Sequence, residues 1–298
     1  MLARFQQALT LGALLFASAW AVLAWRAGSP RAAVAGVVVV LFAHAAVLAL
    51  EMVFLRATHG DDPTMRATVP QLLRAWLGEV IAAPVVFCWR QPFRSQRWPD
   101  QLGPDAKGQR GVLFVHGFVC NRGLWNPWLQ KLTAQGTPFL AVNLEPVLGS
   151  IDDYVDGIES AMRRLEAATG TPPVIVAHSM GGLAVRRWAS QHGDAARVHH
   201  FITIGTPHQG TWLARFAFTR NSRQMRQLSG WLTTLVGREP KARALGWTCF
   251  YSHCDNIVFP PASATLPGAD NRHLTGVAHV HMADRPEPWA ALQEQLRR

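Results

Sequence analysis

Charge is scarce in this chain, and cysteine scarcer still. Of 298 residues only 16% are charged, and there are four cysteines. Cys88, Cys120, Cys249 and Cys254 form no Cys-x-x-Cys pair, so the spacing of a zinc or dithiol redox motif is missing. Cys249 and Cys254 stand near each other in sequence, but spacing alone assigns no disulfide. The formal net charge is +10, supplied mostly by scattered arginines. There is no Lys/Arg-rich run of the kind that makes a nucleic-acid arm. An anionic membrane surface fits this basicity, and so does an arginine-rich composition with no partner. The length holds one large domain or two small ones.

What is present first is a pair of apolar runs. Phe5 to Trp25 has no charged side chain. Arg26 and Arg31 then bracket a Gly-Ser-Pro turn. The second run, Ala32 to Leu50, contains Val37-Val38-Val39-Val40 and ends near Glu51 and Arg56. A bilayer core takes roughly 20 helical residues, so residues 1–57 read as two transmembrane helices, at about 8–27 and 32–55, in a hairpin. Two other readings exist for these runs. The first could be a signal peptide, with Arg4 at its start and Ala17-Ser18-Ala19 as cleavage site. Both could be buried helices, although helices apolar on every face need lipid or a very large core. His44 is expected to be a neutral histidine facing the partner helix. The flanking arginines favour a cell-membrane protein with both ends, and so the rest of the chain, on the cytoplasmic side. Signal cleavage and export would reverse that.

Residues 58–110 read as a connector. His59 to Pro63 is a turn cluster. Val69 to Trp89 is apolar but interrupted by Arg74, Glu79 and Pro84. It suits an amphipathic interfacial helix or an element packed on the next domain. Pro99 to Arg110 reads as a boundary loop.

The stretch with the most chemistry is Val174 to Gly182. A β-branched run stops at Ser179, with Ala177 and Gly181 as small neighbours two positions away on either side. An amphipathic segment with Leu183, Val185 and Trp188 follows. This is the strand, sharp turn and helix of a nucleophile elbow. The helix N-terminus beside the serine favours a developing anion. Upstream, the short strand Gly111 to Val115 runs into His116-Gly117-Phe118. The N–H groups of Phe118 and Met180 are placed to form an oxyanion hole, with His116 bracing the loop. Downstream, the strand at Trp247 to Ser252 leads to Asp255, a candidate triad acid, and Gly276-Val277-Ala278-His279 offers the base. The order Ser179, Asp255, His279 suits this fold. His281 and His208 rival His279, and Asp270, in an apparent turn at 268–271, rivals Asp255. Strands alternate with helices from Gly111 onward, which argues a doubly wound, mostly parallel sheet. Only Trp212 to Leu245 breaks the alternation. Its mixed apolar and basic residues suit a lid-like or membrane-facing insertion, or an ordinary helical layer.

These motifs resemble the α/β-hydrolase superfamily, and its bacterial triacylglycerol lipases and esterases in particular. Ala177-His-Ser-Met-Gly181 is similar to the elbow of the small Bacillus-type lipases, which also carry alanine first. His116-Gly117-Phe118 resembles their oxyanion loop, Ser252 to Val258 their acid loop, and Gly276-Val-Ala-His279 their base motif, which favours His279 over His281. Gly205-Thr-Pro-His208 resembles a turn of larger bacterial lipases. The resemblance covers residues 111–298 and implies a serine ester hydrolase needing neither metal nor cofactor. Its expected substrate is an acyl ester or lipid at the membrane, with no nucleic-acid partner. An acyltransferase on the same triad, or a catalytically silent membrane scaffold, would carry the same motifs.

Overall fold

The computed structural model describes residues 1–192, 195–239 and 246–298. Two apolar helices come first, α1 (Leu2–Arg26) and α2 (Pro30–Ala57). The turn between them uses Gly28 at φ 74°, a conformation that suits glycine. They pack as the hairpin expected from the two runs. At Gly36 a Cβ would fall on the Trp20 ring, so the missing side chain makes room for the indole. Trp20 Nε1 donates to the Ala32 carbonyl at 2.9 Å. Only 6% of the most apolar window of each helix is buried. Leu15, Phe16, Leu23, Val39 and Val53 all face outward. A surface of this kind is stable in lipid rather than water. A groove of about 500 Å3 between α1 and α2 is lined almost wholly by apolar side chains.

A third helix, α3 (Val69–Arg94), is 26 residues long. By length and composition all three helices could cross a membrane. Thr68 and Gln71 form a capping box at the start of α3. The sequence reads this segment as an interfacial or packed helix, and Pro84 hid its full length. The chain passes through it by widening into π turns at Val85–Arg90. Proline has no N–H for the Val80 carbonyl four residues earlier. His44 of α2 donates from Nε2 to that carbonyl at 3.1 Å, so it faces α3 rather than its hairpin partner α1. Trp76 Nε1 of α3 donates to the Ala45 carbonyl at 2.8 Å. Gln6 of α1 bonds Gln91 of α3 at 2.9 Å in a buried contact.

The sheet contains β1 (Val112–Val115), β2 (Phe139–Ala141), β3 (Val174–His178), β4 (His200–Ile204), β5 (Trp247–Tyr251) and β6 (Asp270–His273). All pairs are parallel, in the order β2-β1-β3-β4-β5-β6. The helices between and after them are α4 (Asn126–Gln135), α5 (Val155–Thr169), α6 (Met180–His192), α7 (Arg220–Gln224), α8 (Gly230–Arg238) and α9 (Pro286–Arg297). The two-residue period of the strands splits their side chains between two cores. Leu113, Val115 and Ile175 pack with Ile158 and Met162 of α5 and Leu183 and Trp188 of α6. Val112, Phe114, Val174 and Val176 pack with Trp128 and Leu129 of α4 and Leu292 of α9. Burial on both faces is why β1 and β3 read as unbroken apolar runs. Asp270 opens the edge strand β6, where a turn was expected, and pairs with Arg272 at 2.7 Å.

Within 212–245, residues 240–245 lie outside the described residues. The remainder forms a 3-10 turn at Trp212–Phe216 and the helices α7 and α8. The chain after α8 is tied to α6 by Glu239. Arg186 donates from Nε and Nη2 to its two carboxylate oxygens at 3.0 and 2.9 Å. Both side chains are 1% exposed. Glu239→Ala would leave a buried guanidinium short of its counter-charge, which costs about 3–5 kcal/mol. A large fall in thermal midpoint in detergent is therefore expected, and an unchanged midpoint would contradict the pairing.

Candidate active site

The carboxyl ends of β1, β3 and β5 and the loop after β6 converge at one edge of the sheet. In open parallel sheets this edge is where ligands bind. Ser179 follows β3 directly and sits at φ 53°, in the left-handed region rarely used by residues other than glycine. Its N–H donates to the Ile204 carbonyl at 2.9 Å, holding the turn against β4. Small neighbours make the turn possible. A Cβ at Gly117 would lie 2.8 Å from Ser179 Cβ, and one at Gly181 would lie 2.6 Å from the Val115 carbonyl oxygen. Met180 opens α6, where the first N–H groups have no acceptor within the helix. Phe118 and Ser179 line the same cavity.

Asp255 is fully buried. Its Oδ1 accepts from the N–H groups of Ile257 at 2.9 Å and Val258 at 2.8 Å. Its Oδ2 lies 2.9 Å from His279 Nδ1. An ionised carboxylate only accepts, so Nδ1–H donates and Nε2 keeps a free lone pair. That is the tautomer a general base requires. Burial pushes the His279 pKa down, but the charge and hydrogen bond of Asp255, aided by Glu79 and Glu51, outweigh it. The result lies above the ordinary histidine value. Gly205 (φ 56°) is packed beside this pair, and a Cβ there would come 3.1 Å from His279 Nδ1.

The other histidines are placed differently. His116 Nε2 accepts from the Leu144 N–H at 3.0 Å, and Nδ1 faces the Gly117 carbonyl at 2.9 Å. Burial lowers its pKa to about 4, so it stays neutral and braces the loop before Phe118. His178 is held to about 3, mainly by burial and then by His279 nearby. His208 bonds Thr203 Oγ1 at 3.0 Å and is not among the cavity residues. The ring of His281 packs against Gly78 of α3.

Ser179 and His279 open onto a cavity of about 420 Å3. Its far wall comes from the apolar helices: Leu48 and Glu51 of α2, and Glu79, Ala83 and Phe87 of α3. None of its lining residues belongs to 212–239. Asn256, Glu51 and Glu79 were not picked out from the sequence as site residues. The available signal was two acidic residues in or at the end of apolar runs, where a charge is costly. Among the described residues no group of three or more His, Cys, Asp or Glu could hold a metal ion.

Residues 111–284 match the family model described as alpha/beta hydrolase fold. The chain belongs to that family. Lipase B of Aspergillus fumigatus is similar, with TM-score 0.53 at 24% identity, covering 62% of this chain and 52% of that one. The mature Bacillus licheniformis lipase BlEst2 has TM-score 0.55 at 17% identity, covering 63% of this chain and 92% of that one. The chain thus spans about half the length of the Aspergillus protein. At such identities the likeness speaks for the fold alone. No curated protein sequence matches the chain. Helices α1 to α3 lie before the matched α/β-hydrolase region.

Proposed function

We propose that the chain is a membrane-anchored serine ester hydrolase of the lipase and carboxylesterase kind. The observation that carries this reading is the 2.9 Å contact between buried Asp255 and His279 Nδ1, with His279 and the strained Ser179 lining one cavity. Ser179 Oγ attacks the ester carbonyl while His279 Nε2 takes its proton. The Phe118 and Met180 N–H groups hold the oxyanion. The proton then passes from His279 to the leaving alcohol, and water releases the acyl group by the same steps in reverse order. Asp255 keeps the imidazole in its working tautomer and balances the imidazolium charge. The apolar walls at Leu48, Ala83, Phe87 and Phe118 support an acyl-chain substrate. Helices α1 and α2, with their exposed apolar faces, support membrane anchoring.

Fluorophosphonate labelling of detergent-solubilised protein, followed by a p-nitrophenyl ester chain-length series, tests this. Labelling with a preference for long acyl chains is expected. A preference for short soluble esters would remove the lipid-substrate part, and no labelling of folded protein would remove the hydrolase reading. The pH profile gives a further check. A protonated His279 cannot accept the serine proton, so activity is lost as pH falls through its pKa. Because that pKa is raised, the acidic limb of kcat/KM should lie above about 6.5, the ordinary histidine value. A limb well below that value would contradict the Asp255 pairing.

A further inference from the structure

The loop bearing His279 is held by residues of the apolar helices α2 and α3. Glu79 lies in the middle of α3 and is 1% exposed. Its Oε1 accepts from the Val280 N–H at 2.9 Å and its Oε2 from the His281 N–H at 3.0 Å. These are the two residues that follow His279. A buried carboxylate with one N–H on each oxygen is a strong, directional clamp. The preceding residue of α3 is Gly78, where any Cβ would strike the His281 ring. The glycine therefore lets the helix backbone come up against the loop.

A second carboxylate reaches the same loop by another route. Glu51 Oε2 of α2 accepts from Asn256 Nδ2 at 2.6 Å. Asn256 Oδ1 in turn accepts from the His279 N–H at 3.1 Å. Asn256 is fully buried and adjoins Asp255. So the N–H groups of three consecutive residues, 279 to 281, are all held through acids on the apolar helices. Each acid stands in or beside a stretch where a charge carries a large cost, and a general anchor needs neither of them.

We propose that Glu79 and Glu51 are positioning residues for His279, which makes α2 and α3 part of the catalytic apparatus as well as an anchor. This rests on the serine hydrolase reading above. The α/β-hydrolase domain alone would hold Asp255 and His279 but would lack the clamp on the base loop. The titratable groups that face His279 are Asp255, Glu51, Glu79 and His178. Two of the three acids among them come from the helices, and both stabilise the imidazolium formed during turnover.

The test uses the full chain in detergent or nanodiscs, with Glu79→Gln and Glu51→Gln beside Ser179→Ala. Glutamine keeps the size but turns an N–H toward a backbone N–H that needs an acceptor. Glu79→Gln should lower kcat about 10- to 100-fold, with KM for a p-nitrophenyl ester changed much less. The acidic limb of kcat/KM should move to lower pH in both variants, because a carboxylate facing the imidazolium has gone. Glu79→Asp should recover part of the rate. Activity is expressed per labelled serine, so a lost folded fraction cannot imitate these changes. Hydrogen exchange of the 277–284 peptide reads the loop without reference to turnover, and it should quicken in Glu79→Gln. Unchanged kcat, limb and exchange in folded Glu79→Gln would overturn the proposal. If Ser179→Ala labels like wild type, the nucleophile lies elsewhere and the Ser179 mechanism fails instead, and hydrogen exchange then decides independently whether Glu79 clamps the loop.

Discussion

Ser179→Ala is expected to abolish fluorophosphonate labelling and to lower ester hydrolysis roughly a millionfold in kcat, leaving only what the oxyanion donors and binding supply. The size of the loss follows from covalent catalysis. Without Oγ no acyl-enzyme forms, and His279 has no proton to accept. The fold should survive the change. Serine already occupies φ 53° in this turn, and alanine meets the same backbone strain with one atom fewer. The anchoring bond from the residue 179 N–H to the Ile204 carbonyl is unaffected because it is made by backbone. A melting curve close to wild type, together with lost labelling, is therefore the expected pair of observations. Retained labelling would place the nucleophile elsewhere and remove the proposed mechanism.

Asp255→Asn should lower kcat about ten-thousandfold at neutral pH. The reason is local. The Ile257 and Val258 N–H groups both donate to Oδ1, so an asparagine keeps its carbonyl oxygen on that side. Its NH2 then faces His279 Nδ1 at the former Oδ2 position. To accept that donor, the imidazole must carry its proton on Nε2, and Nε2 can no longer take the serine proton. The raised His279 pKa should also fall, since the largest contribution opposing its burial is the Asp255 charge. Stopped assays of kcat across pH, normalised to folded protein, would show both effects. A loss below tenfold would mean that another residue orients the base.

Much of the site was legible because its chemistry is local. The elbow needs a β-branched strand, small neighbours and a serine within a short stretch, and Val174 to Gly182 supplies all of these. The loop beginning at His116 follows β1 by the same local logic. The choice of His279 over His281 rested on a resemblance rather than on any local pattern. His279 reaches Asp255, while the His281 ring packs against α3. The third helix was legible as an interfacial or packed element, but its full length was not. Pro84 interrupts the helical pattern, and the π turns and the donor from His44 show how the helix continues through it. Strand β6 was missed at Asp270 because a half-exposed edge strand of four residues has little hydrophobic period.

The amino-acid sequence by itself determined the α/β-hydrolase fold, the apolar hairpin and the order of the candidate catalytic groups. Each depends on spacing within a short window: period two in strands, period 3.6 in helices, and uncharged runs long enough to cross a bilayer. The tertiary structure alone decided what surrounds His279. Glu51 and Glu79 stand far before His279 in the chain, and no periodicity links them. Their meeting depends on how α2 and α3 lie against the carboxyl edge of the sheet. That placement is set by packing and by buried hydrogen bonds such as Gln6 to Gln91 and Trp76 to Ala45, which form only once the helices and the sheet are together.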